Sequence, residues 1–258
     1  MKEREEGVNE LVSRAGKYLG ETVASNMMVI DRLSEMRIDD EGRKLIGKLL
    51  ENNLRLLRFM RLYTTFAMYK YGAEDFYPKN SDITQLLSAV CRQTREVLGS
   101  TVILEEDIPS TPVVTVADCK NLRRCILVLF SNAAHHCEKR IRLSLKKSKD
   151  GLAITVFDDG KPADKATRQR IEKGLSGGVN NIDGSGMGLA IASMIVKAHG
   201  GELKFVPHKN GNEFRFTLPE RTDSTLLFSA GVPEYGERYN PAVVELCDFY
   251  LRNLEDRE

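Results

Sequence analysis

Apolar residues recur at steps of three and four through the first part of the chain. Leu11, Ala15, Leu19, Val23, Met27, Ile30, Leu33 and Met36 fall on one stripe of a helix over 9–36. Arg37-Ile38-Asp39-Asp40-Glu41-Gly42 interrupts it, and either aspartate suits the cap of a following helix. The stripe resumes at Leu45, Leu49, Asn52, Leu56, Phe59, Tyr63 and Phe66 and runs to about Tyr71. Two long helices joined by a short break predict an antiparallel hairpin over residues 1–76. Such a hairpin cannot bury both stripes alone. The expected remedy is a second copy, giving a four-helix bundle in a homodimer; the alternative is packing on its own C-terminal domain.

Tyr71–Ser81 mixes Gly72, Pro78 and Asn80 with aromatics and reads as a linker. The pattern then becomes mixed, marking a second domain over residues 77–219. A helix is expected at 82–98, strands at 101–106 and 113–116, and a helix from Asp118 to about Cys137. Strands follow at 140–146 and 152–157, with Lys149-Asp150-Gly151 as their turn. A polar, glycine-bearing stretch from Asp158 to Gly186 precedes a helix at 187–199 and strands at 202–206 and 213–218. This order predicts an α+β fold in which helices layer on one face of a mixed sheet. Residues 220–258 form an extension with one short helix, started by Asn240-Pro241 and striped by Val243, Leu246, Cys247, Tyr250 and Leu254. Docking on the body of the protein is its plain reading, and a partner-binding tail is the sharper one.

The composition narrows the class. Across 258 residues, 38 basic side chains face 37 acidic ones, so no global field favours nucleic acid or an anionic membrane. No apolar run approaches the roughly 20 residues of a membrane span. The five cysteines show no CxxC spacing, which speaks against structural zinc or a disulfide framework and for reduced thiols in a cytoplasmic protein.

Three segments carry candidate chemistry. Gly184-Ser185-Gly186-Met187-Gly188-Leu189 opens a helix, where closely approaching backbone amides and the helix N-terminus favour anions. It matches neither a P-loop nor a dinucleotide-binding first turn. Val156-Phe157-Asp158-Asp159-Gly160-Lys161-Pro162 ends a strand with a carboxylate able to accept from an exocyclic amine such as adenine's; an ordinary turn is the plain alternative. Asn132, in Phe130-Ser131-Asn132-Ala133-Ala134-His135-His136, places an amide in an apolar helix, either to serve a metal-bound phosphate or to bond neighbouring backbone.

Together and in this order, these segments resemble the ATP-binding module of the GHKL superfamily, which includes histidine kinases, gyrase, Hsp90-type chaperones and MutL-type repair proteins. The resemblance covers residues 82–219 and implies an α/β sandwich that binds ATP or ADP with magnesium. It implies that Asn132 holds the magnesium, that Asp158 and Gly160 serve adenine, and that Gly184, Gly186, Met187, Gly188 and Leu189 close the lid on phosphate. His135 stands where the family usually has a phosphate-reaching lysine. Ala198-His199-Gly200-Gly201-Glu202-Leu203 and Asn212-Glu213-Phe214-Arg215-Phe216-Thr217-Leu218-Pro219 look specifically like histidine kinases, and the hairpin resembles their dimerisation helices.

The departures set the functional expectation. The four histidines are His135, His136, His199 and His208, so the hairpin has none to act as phosphoacceptor; Lys17-Tyr18-Leu19-Gly20-Glu21-Thr22 occupies the matching region. Val128, one turn before Asn132, cannot act as a general base. Pro162 replaces the second glycine of the family's G1 box, and in the lid that follows Lys165, Arg168, Arg170 and Lys173 are either phosphate partners or a solvated helix face. The expected protein is an atypical, histidine-kinase-like regulator in two-component-type signalling. It binds nucleotide without phosphorylating its own hairpin, and its partner is a response regulator or another kinase. The alternatives are a transferase acting in trans on a histidine or serine, and a pseudokinase scaffold that binds no nucleotide.

Overall fold

The computed structural model describes residues 2–71, 76–149, 151–177, 187–229 and 240–255. The chain divides into two compact units, Met1–Glu74 with Glu237–Glu258, and Asp75–Gly236.

The first unit is built on the hairpin of α1 (Lys2–Ser34) and α2 (Asp40–Lys70). Asp39 caps α2 by accepting from the Gly42 N–H at 2.8 Å, which stops one helix and starts the other. Val23, Met27 and Ile30 of α1 meet Leu54, Leu57 and Met60 of α2 in a buried core. The C-terminal segment completes that core. Its stripe forms two helices where the sequence pattern predicts one: α7 (Pro241–Glu245), capped by Asn240, and α8 (Cys247–Glu255). Val244 and Cys247 are buried in the same cluster, and burial pushes the Cys247 thiol up to about 11. The hairpin keeps a second apolar face in water, with Leu19, Val29, Met36, Leu45, Leu49, Leu56 and Tyr63 all exposed.

The second unit is an α+β sandwich. Its five-stranded sheet has the order β2 (Ile103–Asp107), β4 (Arg140–Ser148), β5 (Gly151–Asp158), β7 (Gly211–Leu218), β6 (Leu203–His208). β2 runs parallel to β4 and the other pairs are antiparallel, so the sheet is mixed as expected. Alternate residues Ile141, Leu143, Leu145, Leu152, Ile154, Val156, Phe214, Phe216 and Leu218 are buried. They meet α3 (Ile83–Leu98), α4 (Cys119–His136) and α6 (Met187–Ala198).

Two elements depart from the pattern. The end of the expected linker is β1 (Lys79–Asp82), which pairs with β3 (Val114–Ala117) and with β8 (Phe228–Ser229). Asn80 donates to the carbonyls of Asp223 and Leu226, so the chain past Pro219 is strapped to this small sheet. The polar stretch after Asp158 contains α5 (Lys165–Leu175), capped by Asp164. Its exposed basic face carries no apolar stripe for a sequence reading to detect. Among the described residues, no helix is long and apolar enough to cross a membrane.

His199 joins α6 to the small sheet. Its Nδ1 bonds the Ile195 carbonyl at 2.8 Å, its Nε2 accepts the Asp118 N–H at 3.0 Å, and Phe76 packs edge-on against the ring. Burial lowers its pKa, because the imidazolium loses hydration and Nε2 is already engaged as an acceptor. A lowered histidine pKa makes the unfolded chain bind more protons, so this contribution is present above about pH 6.5 and is lost below it. Thermal melts should show stability falling from pH 7.5 to pH 5.5, with a shallower slope in His199→Gln.

Candidate functional site

The site is assembled where α4 and β5 end and α6 begins. Asp159 makes the first link. Its Oδ1 accepts three consecutive N–H groups, those of Glu138, Lys139 and Arg140, at 2.9–3.0 Å. Burial pushes its carboxyl up, but the three backbone donors outweigh that and hold it below the ordinary range. The end of β5 is thereby fastened to the chain leaving α4. Gly160 makes the second link: a Cβ there would lie 1.8 Å from the His136 carbonyl oxygen, a space only glycine leaves open.

Asp158 lies between these anchors, 1% exposed. Its Oδ1 accepts from the Gly160 N–H at 3.0 Å and from Asn212 Nδ2 at 2.9 Å. Oδ2 has no hydrogen-bond partner among the described residues. Burial raises the carboxyl's pKa, while the Asn212 and Gly160 bonds oppose the rise. An open oxygen on an otherwise buried carboxyl suits a ligand that donates, such as an exocyclic amine.

The sequence reading named Asn212 only at the head of the closing motif, one residue before the expected strand at 213–218, and not in the site. Besides Asp158, its Nδ2 donates to the Lys161 carbonyl at 3.2 Å and its Oδ1 accepts the Ala163 N–H at 2.9 Å. It thus holds the backbone on both sides of Pro162, which has no N–H of its own. The available signal was an amide at the start of the last strand, directly opposite Asp158 in the register.

On α4, Asn132 is half-buried, not buried as the apolar surroundings suggested. Its side-chain amide makes no hydrogen bond among the described residues, so the alternative of an amide satisfied by neighbouring backbone does not hold there. His135 is exposed, and its Nδ1 lies 2.6 Å from the Ser131 carbonyl. A carbonyl accepts only from a protonated nitrogen, so Nδ1 is committed to the backbone. The ring is a weak substitute for a cationic phosphate ligand.

Val128 is 4% exposed and faces α6: a Cβ on Gly188 would stand 3.0 Å from its Cγ1. Its role is packing, and the small residue at 188 lets the helices approach. Met187 is buried at the first turn of α6, while Gly188 and Leu189 are half-buried. Gly184 and Gly186 lie outside the described residues. In α5, Arg168 Nε donates to the Ala163 carbonyl at 2.8 Å and Arg170 donates to Thr167. Both are therefore engaged locally.

Residues 117–222 match the model of the histidine kinase-, DNA gyrase B- and HSP90-like ATPase family. The sensor histidine kinase YcbM of Bacillus subtilis is 29% identical over 194 residues, covering 70% of this chain and 60% of that protein. The adaptive-response sensory kinase SasA of Synechococcus sp. is 29% identical over 152 residues, covering 56% of this chain and 40% of its own. The chain thus spans less than two thirds of the length of these relatives. Among solved structures, full-length ShkA in complex with AMPPNP superposes with a TM-score of 0.68 at 22% identity, over 86% of this chain and 47% of that one. The histidine kinase AdeS of Acinetobacter baumannii gives 0.52 at 16% identity, over 81% and 97%. These structures share the fold.

Gly160→Ala tests the junction. Forcing a methyl against the His136 carbonyl should cost about 1–3 kcal/mol, as overpacking does. Urea unfolding of the variant should show the loss; an unchanged midpoint would mean that the loop gives way.

Proposed function

We propose that the second unit binds an adenine nucleotide with magnesium and that the protein uses this binding to regulate a partner in two-component-type signalling. The observation that carries the reading is Asp158, a buried carboxylate with one oxygen fixed by Asn212 and Gly160 and the other open among the described residues. Adenine's exocyclic amine donates to that oxygen. Asn132 would hold the magnesium through its amide oxygen, a ligand type that suits a hard cation, beside phosphate oxygens and water. Gly184, Gly186 and Gly188 offer backbone amides to the phosphates, flanked by Met187 and Leu189 at the start of α6. His135 is tied to the Ser131 carbonyl through Nδ1 and is a poorer phosphate partner than a lysine.

With no histidine in the hairpin and valine at 128, the output is conformational and not phosphorylation of its own hairpin. Nucleotide binding favours one arrangement of the lid, and the partner, a response regulator or another kinase, responds to it. The exposed face holding Leu49 and Leu56 supports a homodimer, since an apolar face of this extent is one a second hairpin covers.

Calorimetric titration with Mg-ADP and Mg-ATP tests the site. Micromolar binding should weaken about 10–100-fold in Asp158→Ala, the worth of a buried hydrogen bond to a charged group. No binding up to millimolar nucleotide would sink the reading and leave a pseudokinase scaffold. For the dimer, light scattering should give twice the chain mass, and Leu49→Glu with Leu56→Glu should return it to monomer. A wild-type monomer at high concentration would refute it.

A further inference from the structure

The hairpin has two apolar faces with different fates. One is open, and the other is filled by α7 and α8. The filled groove is formed by Val23, Met27, Ile30, Leu54, Leu57 and Met60, all from the hairpin itself. The tail fits it as a helix fits a groove, with Val244 and Cys247 inside and Val243, Tyr250 and Leu251 at the margins.

Charge fixes the register. Arg55 Nη2 meets Asp248 Oδ1 at 3.0 Å, and Arg58 Nε meets Glu245 Oε1 at 3.0 Å. Basic residues thus line the α2 side of the groove and acidic ones the tail side. We propose that this groove is a docking site for acidic amphipathic helices, held closed in cis by α7–α8 until a partner helix of the same pattern displaces it.

Three features make the tail releasable. Its helices have 5 and 9 residues, with Leu246 between them. Segments below about 12–15 residues are marginal helices in isolation, so the groove itself maintains them. Arg55 also pairs with Glu51 Oε1 at 2.8 Å within α2, so it keeps a carboxylate when Asp248 leaves. Finally, these ion pairs sit at the margin, where Arg55 is 55% and Arg58 27% exposed, and water replaces the lost partner. A deeply buried pair would have locked the tail in place.

The occupant is therefore specified by pattern: apolar residues one turn apart, with acidic side chains on the flank facing Arg55 and Arg58. The inference does not depend on nucleotide binding.

The test uses the full chain and a fluorescent peptide of residues 237–258. In a full chain carrying Glu245→Lys and Asp248→Lys, the tail is repelled while the groove is intact. This variant should bind the peptide about tenfold or more tightly than the wild-type chain, whose own tail competes. Binding should weaken with added salt, and a peptide with the same two lysine substitutions should not bind. Equal binding to both chains, no binding to the variant, or equal binding of the two peptides would each overturn the proposal. Unfolding of the variant would overturn it too, since a releasable segment cannot be required for the hairpin to fold. On the wild-type chain, hydrogen exchange of 241–255 should be faster than that of Leu54–Met60; equal protection would mark the tail as permanent.

Discussion

The site depends on the stitching of two chain ends. Asp159 collects three backbone N–H groups from the segment leaving α4, and Gly160 presses its backbone against the last carbonyl of that helix. These contacts bring the half-buried amide of Asn132 and the buried carboxylate of Asp158 to the same edge of the sandwich. A carboxylate with three backbone donors is a strong and directional anchor. These bonds are made within the chain itself, so the position of Asp158 is fixed by the fold.

Asp158 itself illustrates how burial and hydrogen bonding divide the labour. Burial makes its charge costly, and Asn212 with the Gly160 N–H offsets part of that cost through one oxygen only. The second oxygen keeps its unmet demand for a donor. Asn212 also holds the loop around Pro162, so the residue that tunes the carboxylate positions the start of the lid as well. Substituting proline for a flexible glycine in that loop is tolerable because Asn212 supplies bonds to the residues on either side.

The first unit follows a different logic. Its hairpin is too thin to bury its own apolar residues, and the chain meets that deficit in part by returning its last segment to the groove. The chain thus leaves the hairpin once and comes back to it once, with the second unit between. Because the returning helices are short and their ion pairs lie at the rim, they belong to the less stable end of the local unfolding spectrum.

Much of this was legible in the residues. The helical character of the hairpin and the order of strands and helices in the sandwich follow from local periodicity, but the α2 stripe read at Leu45, Leu49, Leu56 and Tyr63 is exposed, and Leu54, Leu57 and Met60 form the core instead, because the packing partner selects which apolar face is buried. A helix or strand that buries one face must repeat its apolar positions at a fixed spacing. β1 and α5 were not legible, because one is a short edge of a small sheet and the other a polar helix with no stripe to reveal it. The partners of each motif were not legible either. That Asn212 would hold Asp158 from 54 positions away, that Val128 would face Gly188, and that the tail would fill the hairpin's own groove are decisions of the tertiary structure. They rest on contacts between distant segments, and such contacts leave no periodic trace in either segment alone.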